Sequence, residues 1–242
     1  MYHSIIIGGK NTYSDWHLVP ESRPTIAMPS LNTDAITDVP GVSGSIDLMS
    51  YLVPYPIYNN RTGQWKFHVL NDHESWQSLH HKIANHLHKR SISVKLEDDP
   101  SYVYTGRVFL DEWVSNNDGT WSDVVLGYDL EPYKKLTTGY SNSFTVGSGS
   151  ASTTNTINLG SSDIGMMPVC PKVVISNIGT SGVRLTATNT ETKMSSYVLN
   201  FTRNGTYKLY DVVLTNLSGT NSPSLVFYGQ GSVTLSFDKG YL

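Results

Sequence analysis

Hydrophobic and polar positions repeat with a helical period in one stretch of this chain, residues 71–90. Its apolar residues recur at intervals of three or four, which places them on one face of a helix: Trp76, Leu79, Ile83 and Leu87. We therefore predict a helix over residues 72–90, with Asn71 or Asp72 as its cap. A single amphipathic helix needs a surface to cover, so we expect it to lie across a β-sheet.

The rest of the first half alternates apolar and polar residues with the period of β-strands. The predicted strands are 5–7, 64–70, 92–96, 102–113 and 124–130. Residues 60–63 read as a turn before the second of them, and Gly106 as a β-bulge. Residues 30–58 carry turn signals and short apolar pieces, which indicate a long hairpin or a projecting loop.

The second half has short strand patterns separated by Gly and Asn turns, and no helical period. The strands are predicted at 143–146, 156–159, 172–178, 183–189, 197–201, 206–217, 224–228 and 232–238. Short strands at this spacing indicate an antiparallel sandwich. The chain is therefore expected to be mainly β.

Composition changes sharply near residue 135. Residues 1–135 hold all eight histidines, all five tryptophans, 16 of the 20 acidic residues and 11 of the 17 basic ones, a net charge of −5. Residues 136–242 hold four acidic and six basic residues, a net charge of +2. This contrast predicts two domains, 1–135 and 136–242.

Cys170 is the single cysteine, so no disulfide within the chain is possible. The first residues do not resemble a signal peptide, and no apolar run has the length of a membrane span. We expect a protein made in the cytoplasm, without membrane insertion.

The helix region is rich in histidine, at positions 73, 80, 81, 86 and 88. A zinc site on a helix commonly uses ligands four residues apart, and none of these pairs has that spacing. A polar helix face is the favoured interpretation. A metal-dependent hydrolase stays open as an alternative that metal analysis would test.

The carboxylates at 97–99 and 111–112 are equally ambiguous, since paired acids serve catalysis in some enzymes. Asp99-Pro100 is a turn dipeptide, which favours a structural role. The chain contains no phosphate-binding loop and no nucleophile elbow. We expect no catalytic residues, no metal and no cofactor, and the acidic balance argues against tight nucleic-acid binding.

A β-sandwich can also bind sugars, usually through an exposed aromatic ring. No tryptophan lies beyond Trp121, and the tyrosines of the second half mostly occupy alternating strand positions. These tyrosines are expected in the core, so protein contacts are favoured over sugar stacking. A carbohydrate-binding module that contacts host cell-wall polysaccharide is the alternative function.

Short motifs over residues 10–133 resemble, in order, the distal tail proteins of siphophages that infect Gram-positive hosts. They are KNT at 10–12, DWHLVP at 15–20, SRP at 22–24, DVPG at 38–41, GSIDL at 44–48, YNNR at 58–61, LEDDP at 96–100, YTGR at 104–107 and YDLEPY at 128–133. The second half lacks such motifs and is assigned by its position alone.

The resemblance implies an N-terminal split β-barrel domain with one α-helix and a C-terminal galectin-like antiparallel β-sandwich. It implies a virion structural protein of the baseplate, located at the tail tip and assembled in the host cytoplasm. Six copies would form a ring that joins the tail tube protein to the tail-associated hub protein. Such a ring often anchors a receptor-binding or side-fibre protein for host adhesion, and DNA passes through its channel without specific binding.

The ring is expected to be built mainly by residues 1–133 around an acidic lumen. Its contact is assigned to the turn-rich segment 34–48, through four apolar residues: Ile36, Val39, Ile46 and Leu48. This segment shows no regular strand pattern of its own. A head-to-tail contact that closes on itself gives a cyclic oligomer.

Overall fold

A computed structural model of the 242-residue chain describes residues 3–34, 36–38, 40–41, 43–48, 53, 55–70, 72–88, 91–147, 152–189, 194–217, 219 and 222–242. Contacts divide the chain into two units. The first comprises residues 1–32 and 58–134, and the second comprises residues 33–57 and 135–242. That residues 1–135 and 136–242 fold as two independent domains remains a prediction.

The first unit is an antiparallel sheet with one helix packed on it. Its strands are β1 (Ile5–Ile7), β2 (Lys10–Asn11), β3 (Val19–Pro20), β6 (Arg61–Leu70), β7 (Ile92–Leu96), β8 (Tyr102–Ser115) and β9 (Trp121–Leu130). They lie in the order β2–β1–β7–β8–β9–β6–β3, and helix α1 (Trp76–Leu87) packs against β8. The name split β-barrel for this sheet rests on the family resemblance.

The strand alternation predicted for the first unit is confirmed by its core. The inward side chains of β6 and β9 are buried: Trp65, Phe67, Val69, Val124, Leu126, Tyr128 and Leu130. The helix adds Leu79, Ile83 and Leu87 to the same cluster. Each such side chain contributes roughly 1.5–3 kcal/mol through burial.

The helix is shorter than predicted. Its N-cap is Ser75, whose hydroxyl accepts a hydrogen bond from the Ser78 backbone N–H at 3.4 Å. The predicted cap Asp72 lies before the helix, and the other candidate, Asn71, lies outside the described residues. Several side chains ahead of the periodic stretch can cap a helix, so the sequence pattern alone did not select among them.

Two glycines of the first unit have a different role from the predicted one. Gly63 lies within β6 and not in a turn, and a Cβ there would overlap the Tyr128 hydroxyl. Gly106 pairs regularly with Ile92 on one side, and the register shift of β8 comes instead between Leu110 and Glu112. Close packing, not a turn or a bulge, therefore requires glycine at both positions.

The second unit is a sandwich of two four-stranded antiparallel sheets. One has the order β11–β18–β13–β16, with β11 (Tyr140–Val146), β13 (Lys172–Ser176), β16 (Gly205–Lys208) and β18 (Gly231–Phe237). The other has the order β12–β17–β14–β15, with β12 (Thr153–Asn158), β14 (Val183–Asn189), β15 (Met194–Phe201) and β17 (Ser224–Gly229). The predicted mainly β class and the C-terminal sandwich are confirmed.

Three other elements are shorter, and the first of them spans the boundary between the two units. β10 (Lys134–Leu136) pairs with β19 (Gly240–Tyr241), and the four-residue helix α2 (Ser161–Ile164) was not predicted. The long strand predicted over 206–217 ends at Lys208, because the chain turns there and the Val212 N–H donates to the Leu209 carbonyl. Among the described residues no helix is long and apolar enough to cross a membrane.

Candidate functional site

The predicted ring contact lies on a hairpin of two three-residue strands, β4 (Ile36–Asp38) and β5 (Ser45–Asp47). Of the two forms predicted for residues 30–58, a long hairpin or a projecting loop, the structure shows a short hairpin, and its two strands were not expected from the sequence. Ile36 and Leu48 are 40% and 47% exposed, and Ile46 is half-buried. Val39 lies outside the described residues. A two-stranded hairpin is marginal by itself, so exposed aliphatic side chains on it fit a contact with another chain.

A cleft of about 580 Å³ opens in the first unit, where β6 ends and β9 begins. It is lined by Tyr13, His17, Val19, His68, Val69, Leu70, Asp72, His73 and Trp121. The rings of His17 and His73 are in contact, with their centroids 4.0 Å apart and their planes tilted by 32°, and His17 has a left-handed φ of 56°. Aromatic and aliphatic walls with a few polar groups suit an apolar side chain of a partner protein.

The sheet face on the other side from the core extends this apolar surface. Leu70 and Trp121 are directly paired across β6 and β9, and both are exposed. Phe109 and Val114 on β8 are also exposed. Phe109 covers Gly127, where any Cβ would overlap its ring. Large apolar side chains interspersed with polar ones on an open sheet make this face a candidate contact surface.

Two histidines of the helix, His80 and His86, make packing contacts within the first unit. A ring nitrogen of His86, Nε2, lies 2.9 Å from the Ile7 carbonyl, and the ring meets Trp16 edge-on. His80 meets the edge of Trp113. In the part of the chain that the structure describes, no group of three His, Cys, Asp or Glu side chains is placed to hold a metal.

The acidic turn after β7 forms hydrogen bonds with residues near the start of the chain. Glu97 accepts hydrogen bonds from the Ser4 backbone N–H at 2.9 Å and the Ser4 hydroxyl at 2.8 Å, and these lower its pKa. Asp98 contacts Arg23 Nε and His3 Nδ1, each at 2.8 Å. The hydrogen bond from Arg23, followed by the one with His3, lowers the pKa of Asp98. This geometry agrees with a structural role for the carboxylates.

Arg61, from the YNNR motif, is a buried charged residue whose importance was not apparent from the sequence. Its side chain is 2% exposed and donates to the Pro132 carbonyl at 2.8 Å and the Ala27 carbonyl at 3.0 Å. Burial lowers its pKa. Its guanidinium lies 5.4 Å from the centre of the Tyr104 ring. The residue ties three segments of the first unit together.

The tyrosines of the second unit divide into two groups. Tyr140, Tyr197 and Tyr207 pack against the core, as predicted. Tyr210 and Tyr228 are 68% and 50% exposed, so the expectation of core positions is wrong for these two. Tyr228 belongs to the outward set of β17, which alternates with the buried Leu225 and Phe227.

No family model matches this chain, and no curated protein matches it. Among solved structures, the chain is similar to the crystal structure of phage SPP1 Dit (gp 19.1), described as a paradigm of the hub adsorption apparatus in phages that infect Gram-positive bacteria. The TM-score is 0.57 at 14% sequence identity, and the match covers 100% of both chains. At this identity the likeness establishes the fold, over both units.

Proposed function

We propose that this chain is a structural virion protein of a siphophage tail tip, the distal tail component. Six copies form a ring that joins the tail tube protein to the tail-associated hub protein and anchors receptor-binding or side-fibre proteins. One observation carries the proposal: the likeness to a phage hub protein spans the whole chain. The ordered motifs over residues 10–133 support the same family.

The exposed surfaces support assembly. The hairpin with Ile36 and Leu48 belongs to the second unit, whereas the cleft with Leu70 and Trp121 belongs to the first. Contact between unlike surfaces of identical subunits is head-to-tail, and it gives a ring when the rotation closes. Ile36, Val39, Ile46 and Leu48 remain our proposed contact.

Multi-angle light scattering on the purified full-length protein tests the ring. One subunit has a mass of 26.8 kDa, so six give about 161 kDa. A mass near that of six subunits at micromolar concentration supports the proposal. A mass of 26.8 kDa at every concentration in the range where assembly is expected, measured without partner proteins, contradicts the ring.

We further propose that DNA passes the ring without sticking, because the lumen is acidic. Residues 1–135 carry a net charge of −5. Nonspecific DNA binding grows with each phosphate that a Lys or Arg neutralises, so an acidic wall leaves the passage open. Fluorescence anisotropy with a labelled duplex should show no binding at 150 mM salt. Micromolar affinity that falls steeply with salt would contradict an acidic lumen.

We infer no catalytic activity for the chain and no cofactor or metal requirement. The histidine contacts and the fastening role of Glu97 and Asp98 support this. Metal analysis after dialysis tests it. Stoichiometric zinc that is lost on replacing His80 or His86 would instead favour the hydrolase alternative.

A further inference from the structure

The outer face of the sheet β12–β17–β14–β15 carries a row of four exposed side chains. Thr154 pairs with Tyr228, Tyr228 with Arg184, and Arg184 with Asn200, so the four lie side by side on adjacent strands. All four are exposed, and on three of the strands they alternate with core residues: Val183, Leu185, Phe227, Leu199 and Phe201. Neighbouring strands are about 4.8 Å apart, so the row spans roughly 14 Å.

The row combines charged, aromatic and neutral polar side chains. Within the described residues, none of the four side chains has a hydrogen bond, ion pair or ring contact. Arg184 is the one charged side chain among the described outward positions of these strands. The adjacent row supplies Thr156, Val226, Thr186 and Val198, without a carboxylate. A cation, an aromatic ring and neutral hydrogen-bonding groups therefore share one open face.

We propose that this row binds an acidic glycan, a chain of pyranose sugars that carry carboxylate or phosphate groups. The apolar face of a pyranose packs on an aromatic ring, which Tyr228 offers. The Arg184 guanidinium matches a carboxylate or phosphate in its planar, two-pronged geometry. Thr154 and Asn200, on either side, offer a hydroxyl and an amide to the sugar hydroxyls.

Charge favours an acidic ligand over a neutral one. The structural unit that carries the row, residues 33–57 and 135–242, has seven acidic and seven basic residues and hence a net charge of zero, so the local charge of the row decides which ligand it prefers. Arg184 lies on a face whose described outward positions hold no carboxylate, so an acidic chain is attracted there and a neutral one is not. The site is complete in one copy of the chain, so it does not depend on ring formation.

The experiment is saturation-transfer difference NMR on the full-length protein, with affinities measured by titration. The probes are trigalacturonic acid, the neutral galactotriose and inorganic phosphate. The variants are Tyr228→Ala and Arg184→Gln. Their matched controls, Tyr210→Ala and Lys208→Gln, change an exposed tyrosine and an exposed lysine of the same unit outside the row.

We expect wild-type protein to bind trigalacturonic acid more tightly than galactotriose. Tyr228→Ala should weaken binding of the acidic probe roughly fivefold to tenfold, as the loss of one aromatic contact predicts. Arg184→Gln should weaken it about tenfold or more and abolish the preference over galactotriose. The two controls should keep wild-type affinity.

Three results would overturn the glycan site. They are no saturation transfer to trigalacturonic acid, equal affinity in Tyr228→Ala and wild type, and competition by inorganic phosphate as effective as by trigalacturonic acid. The last would mean a simple anion site. A monomeric protein that binds the acidic probe through these residues contradicts the ring and supports the glycan site. A hexamer that does not bind the acidic probe supports the ring and contradicts the glycan site.

Discussion

Arg61 shows how one buried charge can hold a fold together. Its guanidinium has no carboxylate partner among the described contacts and instead donates to two backbone carbonyls, those of Ala27 and Pro132. Arg61→Met removes both donors and leaves these carbonyls unpaired. We expect the free energy of unfolding to fall by about 2–4 kcal/mol, measured by urea denaturation.

The matched control for this change is Arg107→Met, on the same sheet but exposed. It should change the free energy of unfolding by no more than about 0.5 kcal/mol. Equal effects of the two substitutions would show that the carbonyl contacts of Arg61 contribute little. The YNNR motif would then need a different explanation.

The hydrogen bonds of Glu97 to Ser4 predict that the stability of the protein depends on pH. Its hydrogen bonds from the Ser4 N–H and hydroxyl lower its pKa below the ordinary value of 4.5. Below 4.5 the unfolded chain binds the proton first, so the stabilisation is complete above that pH and is lost as pH falls through the folded-state pKa. Wild type should therefore exceed Glu97→Gln in melting temperature at pH 7, and the difference should vanish at strongly acid pH.

Glu112→Gln is a control for this pH series, since Glu112 is an exposed carboxylate of the same unit that has no hydrogen bond or ion pair among the described residues. Its difference from wild type should stay nearly constant over the same pH range. A Glu97→Gln difference that also stays constant, or grows on acidification, would contradict the proposed role of the Ser4 contacts.

Helix α1 is the element whose apolar periodicity most directly predicts an effect on the free energy of unfolding. Ile83 is fully buried at the centre of the apolar face. Ile83→Ala removes three buried carbon atoms and leaves a cavity under the helix, so it should lower the free energy of unfolding by about 2–5 kcal/mol. Gln77→Ala, exposed on the same helix, should have an effect within about 0.5 kcal/mol. Urea denaturation of both variants measures the contrast, and similar losses would contradict the assigned buried face.

The same helix shows what sequence can and cannot predict. The three- and four-residue spacing of Leu79, Ile83 and Leu87 identified the buried face, because helical geometry determines it locally. The start at Ser75 and the role of Gly63 depend on which side chains meet in the folded chain. Periodicity contains no information about such contacts.

The two candidate surfaces also differ in whether the sequence alone could identify them. Exposed apolar residues of the hairpin were found from their turn-rich context, since a short segment with aliphatic residues is visible in the sequence. The row from Thr154 to Asn200 was missed, because its members lie far apart along the chain and meet through strand pairing. Tyr228 looked like a core residue because alternation predicts two faces without stating which one is buried.

For the whole molecule, the hairpin provides the decisive prediction. If Leu48 contacts the next subunit, Leu48→Asp places a charge in an apolar interface and should shift the assembly from six subunits to one. The folded subunit should be unaffected, because the side chain is 47% exposed. Light scattering at matched concentration measures the mass, and circular dichroism melting confirms that the variant is folded.

Met166→Asp is the control, an exposed apolar residue of the same unit outside the hairpin. Wild type and Met166→Asp should both have a mass near 161 kDa, whereas Leu48→Asp should approach 26.8 kDa. The full-length chain is required, because residues 33–57 belong to the same unit as residues 135–242, and a fragment ending at 135 would lack most of that unit. A hexamer of Leu48→Asp would show that the ring closes through another surface, and the cleft beside Trp121 would be the next to test. A wild-type monomer would remove the ring itself, since a subunit that never meets its copies cannot close one.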